Sequence, residues 1–154
     1  MTRGEWMSIK LQLAAGAAFI GVAFTNVARV ANDHPFTEGP VVNVYAIRTE
    51  TGKFDDYVNF LDVIWKPTQE AAKKAGYIIS YQVIKVEPRG ENDPDIYLVT
   101  YYKNWAALDG WPGKADALAK EVEGSVAVAN GSTVSRGNIR RVLGSWTGQE
   151  LVLK

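Results

Sequence analysis

The sequence predicts an α+β domain of order βαββαβ, an antiparallel four-stranded sheet carrying its helices on one face. Three observations lead there. Runs rich in β-branched and aromatic residues occur at Val41–Arg48, Tyr77–Glu87 and Asp95–Tyr102. An amphipathic stretch with a period near that of an α-helix begins at Phe54. A final apolar run, Leu151–Leu153, closes the chain.

Each element has a local reason. In Val41–Arg48 both alternating sets of side chains are largely apolar, as in a strand covered on both sides. From Phe54, apolar residues at Tyr57, Val58, Leu61, Ile64, Trp65, Thr68, Ala72 and Ala75 recur every three or four positions. Asp55, Asp56, Asn59, Asp62, Lys66, Glu70 and Lys73 fill the opposite face. Acidic residues in the first turn and lysines in the last suit the helix dipole, and Gly76 suits its end. Pro67 lacks an amide hydrogen and crowds the carbonyl of Val63, which predicts a kink there.

The turn-forming PRGENDP segment between the second and third strands predicts a hairpin. Asn104 is placed to cap a short helix, Trp105–Asp109, with Gly110 and Pro112 interrupting before a second segment at Lys114–Glu123. The NGST run, residues 130–133, predicts a turn, followed by a helix over Val134–Leu143 that stops at Gly144, and Trp146–Lys154 predicts the last strand. This order is the split βαβ, or ferredoxin-like, arrangement. Because both faces of its strands are apolar, the open face needs a cover, and the simplest is the same face of a second copy.

With 47% hydrophobic and 22% charged residues among 154, the composition is that of one ordinary globular domain. Seventeen basic residues balance 17 acidic ones, so there is no surplus to neutralise phosphates, which argues against nucleic acid as a partner. Cysteine is absent, removing disulfides, thiolate nucleophiles and thiolate metal sites. Arg3 and Lys10 precede an apolar, Ala- and Gly-rich stretch, Leu11–Thr25, shorter than a spanning helix needs and followed by small residues. Residues 1–28 therefore read as a signal peptide cut near Ala28, residues 29–40 as a linker, and 41–154 as the domain. That placement predicts a periplasmic or secreted protein with no stable membrane insertion after cleavage. An uncleaved anchor or a buried helix is the alternative for the apolar stretch.

Residues 41–154 resemble the dimeric α/β-barrel superfamily, which includes small cofactor-free monooxygenases of antibiotic biosynthesis, haem-degrading enzymes and NIPSNAP-like proteins. The resemblance is carried by the element order, by the first strand leading through TETGK into FDDYVNFL, and by NWAALD after the third strand. It implies a homodimer with a pocket in each subunit between helices and sheet, and it puts Tyr45 at a pocket position with Asn43 and Ile47 on the same face. Haem-degrading members pair an Asn on the first strand with a His on the second long helix. Here the sole histidine, His34, precedes the domain.

No Ser-His-Asp set and no metal site can be assembled from these residues, and no cofactor is implied. Asp55, Asp56 and Asp62 fall on the polar face of their helix, which reads as a solvated surface. Arg140 and Arg141 could hold an anion, or complement the dipole at the expected helix end. The aromatics are the stronger candidates: five Trp and seven Tyr, with Tyr45, Tyr81, Tyr97 and Tyr101 on three strands and Trp65 on the packing helix. Asn43, Tyr45, Trp65, Tyr81 and Tyr101 are accordingly the candidate ligand-binding residues, for an aromatic or polycyclic molecule. Aromatics at alternating strand positions equally serve as core or dimer interface.

Two functions follow from this reading. One is an exported homodimer that binds a small hydrophobic or aromatic molecule. The other is a cofactor-independent monooxygenase or isomerase acting on an aromatic substrate, for which the pocket lacks an identified base. Glu87, Glu150 or another carboxylate inside the Tyr45 pocket would favour the second.

Overall fold

The computed structural model describes residues 34–154. The expected signal peptide, and the linker as far as residue 33, lie outside the described residues. Strand β1 (Phe36–Thr49) leads into α1 (Phe54–Phe60), a π-helical turn (Leu61–Trp65) and α2 (Lys66–Lys74). Next come β2 (Ser80–Lys85), β3 (Ile96–Tyr102), a 3₁₀ turn (Trp105–Leu108), α3 (Trp111–Glu123), α4 (Val126–Arg136) and β4 (Arg140–Leu153). The sheet order is β2-β3-β1-β4 with every neighbouring pair antiparallel, which is the ferredoxin-like arrangement.

Strand register sorts the two apolar sets. Val41, Asn43, Tyr45 and Ile47 of β1 stand opposite Tyr102, Thr100, Leu98 and Ile96 of β3. This inner face meets the helices in two clusters. Val41 and Tyr102 pack with Ala72, Ile78 and Leu118, while Ile47, Ile96 and Leu98 pack with Tyr57 and Leu61. On the outer face Val42, Val44 and Ala46 oppose Tyr101, Val99 and Tyr97, with Trp146 beside Val44 and Ile84 beside Tyr97. Neither helix-packed cluster draws on that face, and Trp146 is 58% exposed there.

Several expected boundaries are corrected. The first strand begins at Phe36 instead of Val41, because Phe36, Thr37 and Glu38 pair with Leu153, Val152 and Leu151 to make a two-stranded arm beyond the end of β3. The irregularity expected at Pro67 takes the form of the π turn just before it, in which the Lys66 amide donates to the Leu61 carbonyl five residues back. Pro67 itself follows directly on that turn at the start of α2, and the backbone stays helical through the junction. Pro112 likewise opens α3 rather than interrupting a helix.

The largest correction concerns residues 125–143. No turn interrupts NGST, which lies inside α4, and Val134–Leu143 holds the end of that helix, a turn at residues 137–139 and the start of β4. Gly124, at φ 82°, ends α3 in the left-handed conformation that glycine tolerates. Ser125 then caps α4 by accepting from the Val128 amide at 3.1 Å. The Asn104 cap is as expected, its side chain accepting from the Ala107 amide at 3.1 Å.

At the β1–α1 end a buried carboxylate fixes the loop. Both Asp95 oxygens accept from the Thr49 amide at 3.1 Å, and the Thr49 hydroxyl donates to Asp95 Oδ2 at 2.5 Å. Gly52 makes the following turn at φ 73°.

Candidate functional site

A cavity of about 440 Å³ lies between the inner face of the sheet and the helices. That is within the size range of small-molecule sites. Tyr45, Ile47 and Leu98 form its sheet wall, and Tyr57, Phe60, Ile64, Trp65 and Thr68 come from the first helical layer. The far wall is α3 and α4, with Ala119, Glu123, Asn130, Thr133 and Arg136, and β4 adds Arg140 and Val142.

The π turn helps to build this wall. One extra residue per turn places Phe60, Ile64 and Trp65 together along the cavity while Leu61 stays in the core. The Thr68 hydroxyl, on the cavity side, donates to the Ile64 carbonyl at 2.8 Å. Tyr57 is 1% exposed; burial raises its phenol above the usual range, partly offset by Arg140 and Arg136.

A bulge in β4 decides which arginine enters. Ala46 pairs with Gly144 but Ile47 pairs with Val142, leaving Leu143 as a surplus residue. Because strand side chains alternate, this one-residue shift turns Val142 and Arg140 to the inner face. Arg141 instead reaches Glu50, Nε to Oε1 at 3.3 Å. The dipole role expected of Arg140 and Arg141 at a helix end is therefore corrected: both belong to a strand.

The five candidate residues divide. Tyr45 and Trp65 line the cavity. Tyr81 sits on the other side of Trp65, edge to face with it at 5.2 Å and 86°, and lines a shallow apolar groove with Val58, Leu61 and Val83. Its hydroxyl donates to Glu70 Oε1 at 2.5 Å, and that bond pushes its pKa up to about 12. Asn43 is on the inner face, but its amide donates to Thr147 Oγ1 at 2.8 Å and the Trp146 carbonyl at 3.3 Å, outside the cavity wall. Tyr101 is on the outer face opposite Val42, because the alternation that buries Tyr102 against Trp111 turns its neighbour away.

Glu87 falls in a polar recess near Asp95 and Glu150 is exposed, whereas Glu123 stands in the cavity wall. Glu123, Arg136, Tyr57 and Phe60 are among the lining residues that sequence reasoning missed. The pair Gly124-Ser125, a helix stop followed at once by a helix cap, is the signal that would have placed α4 and hence Arg136. Among the described residues no cluster of three His, Cys, Asp or Glu side chains is arranged to hold a metal ion.

No protein-family model matches the chain, and no curated protein matches it. Among solved structures it is similar to HapK from Hahella chejuensis, at 12% identity and a TM-score of 0.49, over 71% of this chain and 91% of that one. It is also similar to a dimeric ferredoxin-like protein from an uncultured marine organism, at 12% identity and a TM-score of 0.46, over 77% and 90%. The fold assignment rests on the strand order and register, and these likenesses carry no functional argument.

Proposed function

We propose that this is an exported homodimeric domain that binds a small aromatic molecule in the cavity between sheet and helices. The observation that carries the reading is the ring-lined wall of Tyr45, Tyr57, Phe60 and Trp65 around about 440 Å³. Rings on opposing elements offer edges and faces to a flat apolar ligand. The homodimer is supported by the apolar outer face, where Ile84 and Trp146 are exposed beside the half-buried Val42, Ala46 and Tyr97, with Val44 and Val99 buried between them. Exposed apolar side chains grouped on one sheet face in this way mark an association site. Val152, on the same side of β4 as Trp146 and exposed, extends that face onto the two-stranded arm.

Native mass spectrometry of the protein purified from its own host tests all three parts. The expected species is a dimer whose chains start near Arg29 and which retains a small molecule. An unliganded monomer beginning at Met1 would refute the reading.

One observation favours a second reading, a cofactor-independent monooxygenase or isomerase of the kind the resemblance includes. Glu123 puts a carboxylate in the same cavity as Tyr45, and so supplies the base missing from the sequence analysis. In that role it would take a proton from a hydroxyl on the bound ring, leaving a phenolate, or from a carbon beside a carbonyl, leaving an enolate. Incubation of the retained compound with wild type and Glu123→Gln distinguishes the readings. Turnover by wild type and retention without turnover by the variant mark an enzyme; an unchanged compound in both marks a binding protein.

A further inference from the structure

Resting on the aromatic-ligand reading, we infer that the ligand carries an anionic group, a carboxylate or its planar equivalent, held by Arg136 and Arg140. The two guanidiniums come from the last turn of α4 and the first residue of β4, and both line the cavity. Each lies over a ring of the wall, Arg136 over Phe60 at 4.7 Å and Arg140 over Tyr57 at 5.6 Å. These stacks hold the cations without neutralising them. No carboxylate oxygen of the described residues lies within 4.0 Å of either group.

Their hydrogen bonding is incomplete as well. Arg136 Nη2 donates to Thr133 Oγ1, but the Nε atoms of Arg136 and Arg140 are buried and have no partner among the described residues. Buried donors without partners are uncommon, and a pair of them on adjacent cations is costly. Burial lowers the pKa of Arg136, and the charge of Arg140 lowers it further. Glu123 opposes that effect through space, yet its own Oε2 is also buried and unpartnered. Asp116, the other carboxylate on the cavity, is exposed. The inner wall thus holds two cations and one anion. An anion there would relieve the repulsion between the arginines and accept from their forks, which match a carboxylate better than a spherical ion.

The test uses two probes of one shape, 2-naphthoate and neutral 2-naphthamide, titrated by calorimetry into the folded protein. For wild type, naphthoate is expected to bind about tenfold or more tightly than naphthamide, in line with charge-assisted hydrogen bonds. In Arg136→Gln/Arg140→Gln that preference is expected to vanish while naphthamide affinity is kept. In Arg141→Gln, which alters the arginine turned toward Glu50, it is expected to persist. Should the double variant fail to fold, naphthoate added to wild type is still expected to shift the Nε–Hε resonances of Arg136 and Arg140, and naphthamide is not. Equal binding of both probes to wild type would overturn the anion assignment and leave the aromatic pocket standing. Binding of neither would overturn both, and a preference that survives the double substitution would remove the two arginines from the role.

Discussion

Tyr57→Ala is expected to destabilise the domain by roughly 3–5 kcal/mol, the range for deleting a large buried ring. The side chain is 1% exposed, packs with Ile47, Leu61, Ile96 and Leu98, and stacks against Phe60 at 5.9 Å. It also supports the Arg140 guanidinium, so the variant loses a ring, a cavity wall and the platform of a cation together. Chemical denaturation followed by circular dichroism measures this. Against a typical domain stability of about 5–15 kcal/mol, such a loss leaves a large unfolded fraction or no folded protein. Tyr57→Phe keeps the ring and its packing with Ile47, Leu61, Ile96 and Leu98, and is expected to stay within about 1 kcal/mol of wild type. A comparable loss in both variants would mean that the hydroxyl, and not the packing, holds the region together.

Asp95→Ala is the second large effect, expected at about 3 kcal/mol. The carboxylate is 9% exposed and takes both the amide and the hydroxyl of Thr49. Its removal leaves a buried N–H with no acceptor at the point where β1 turns toward α1. Asp95→Asn keeps one oxygen for that amide and is expected to lose about half as much. The two denaturation midpoints, measured side by side, check the order; equal losses would show that the charge matters more than the accepting oxygen.

The sheet was legible because its signals are local. The apolar runs, the PRGENDP turn and the helical period from Phe54 each depend on neighbours in sequence, and the strands and first helical layer follow from them. Which apolar set of β1 meets the helices was not legible, since Val42 and Val44 are as hydrophobic as Val41 and Ile47, and only cross-strand register separates them. That ambiguity put Tyr101 among the site residues. The C-terminal third was misread for a different reason: Asn130, Gly131, Ser132 and Thr133 have turn propensities, but the cap at Ser125 and packing on α3 keep them helical. Tyr45 and Trp65 could be found from the sequence because a ring on a strand and a ring on the packing helix converge in any such sandwich. Arg136 could not, because its approach depends on where α4 ends; Arg140 was visible only as one of a pair with Arg141, and the surplus Leu143 is what separates the two.

The widened turn at Leu61–Trp65 has a rotational consequence. A helix advances by about 100° per residue, so one residue too many in a turn sets the angular phase of everything upstream relative to everything downstream. Removing a single residue from that turn would take out its extra residue and swing Tyr57 and Phe60 by about that angle, while Ala72 stayed seated. The rings of the wall and the cations stacked on them would then no longer face one another. The cavity's chemistry is thus a matter of phase between two half-helices, and a length change there would erase it while every residue of the site remained in the sequence.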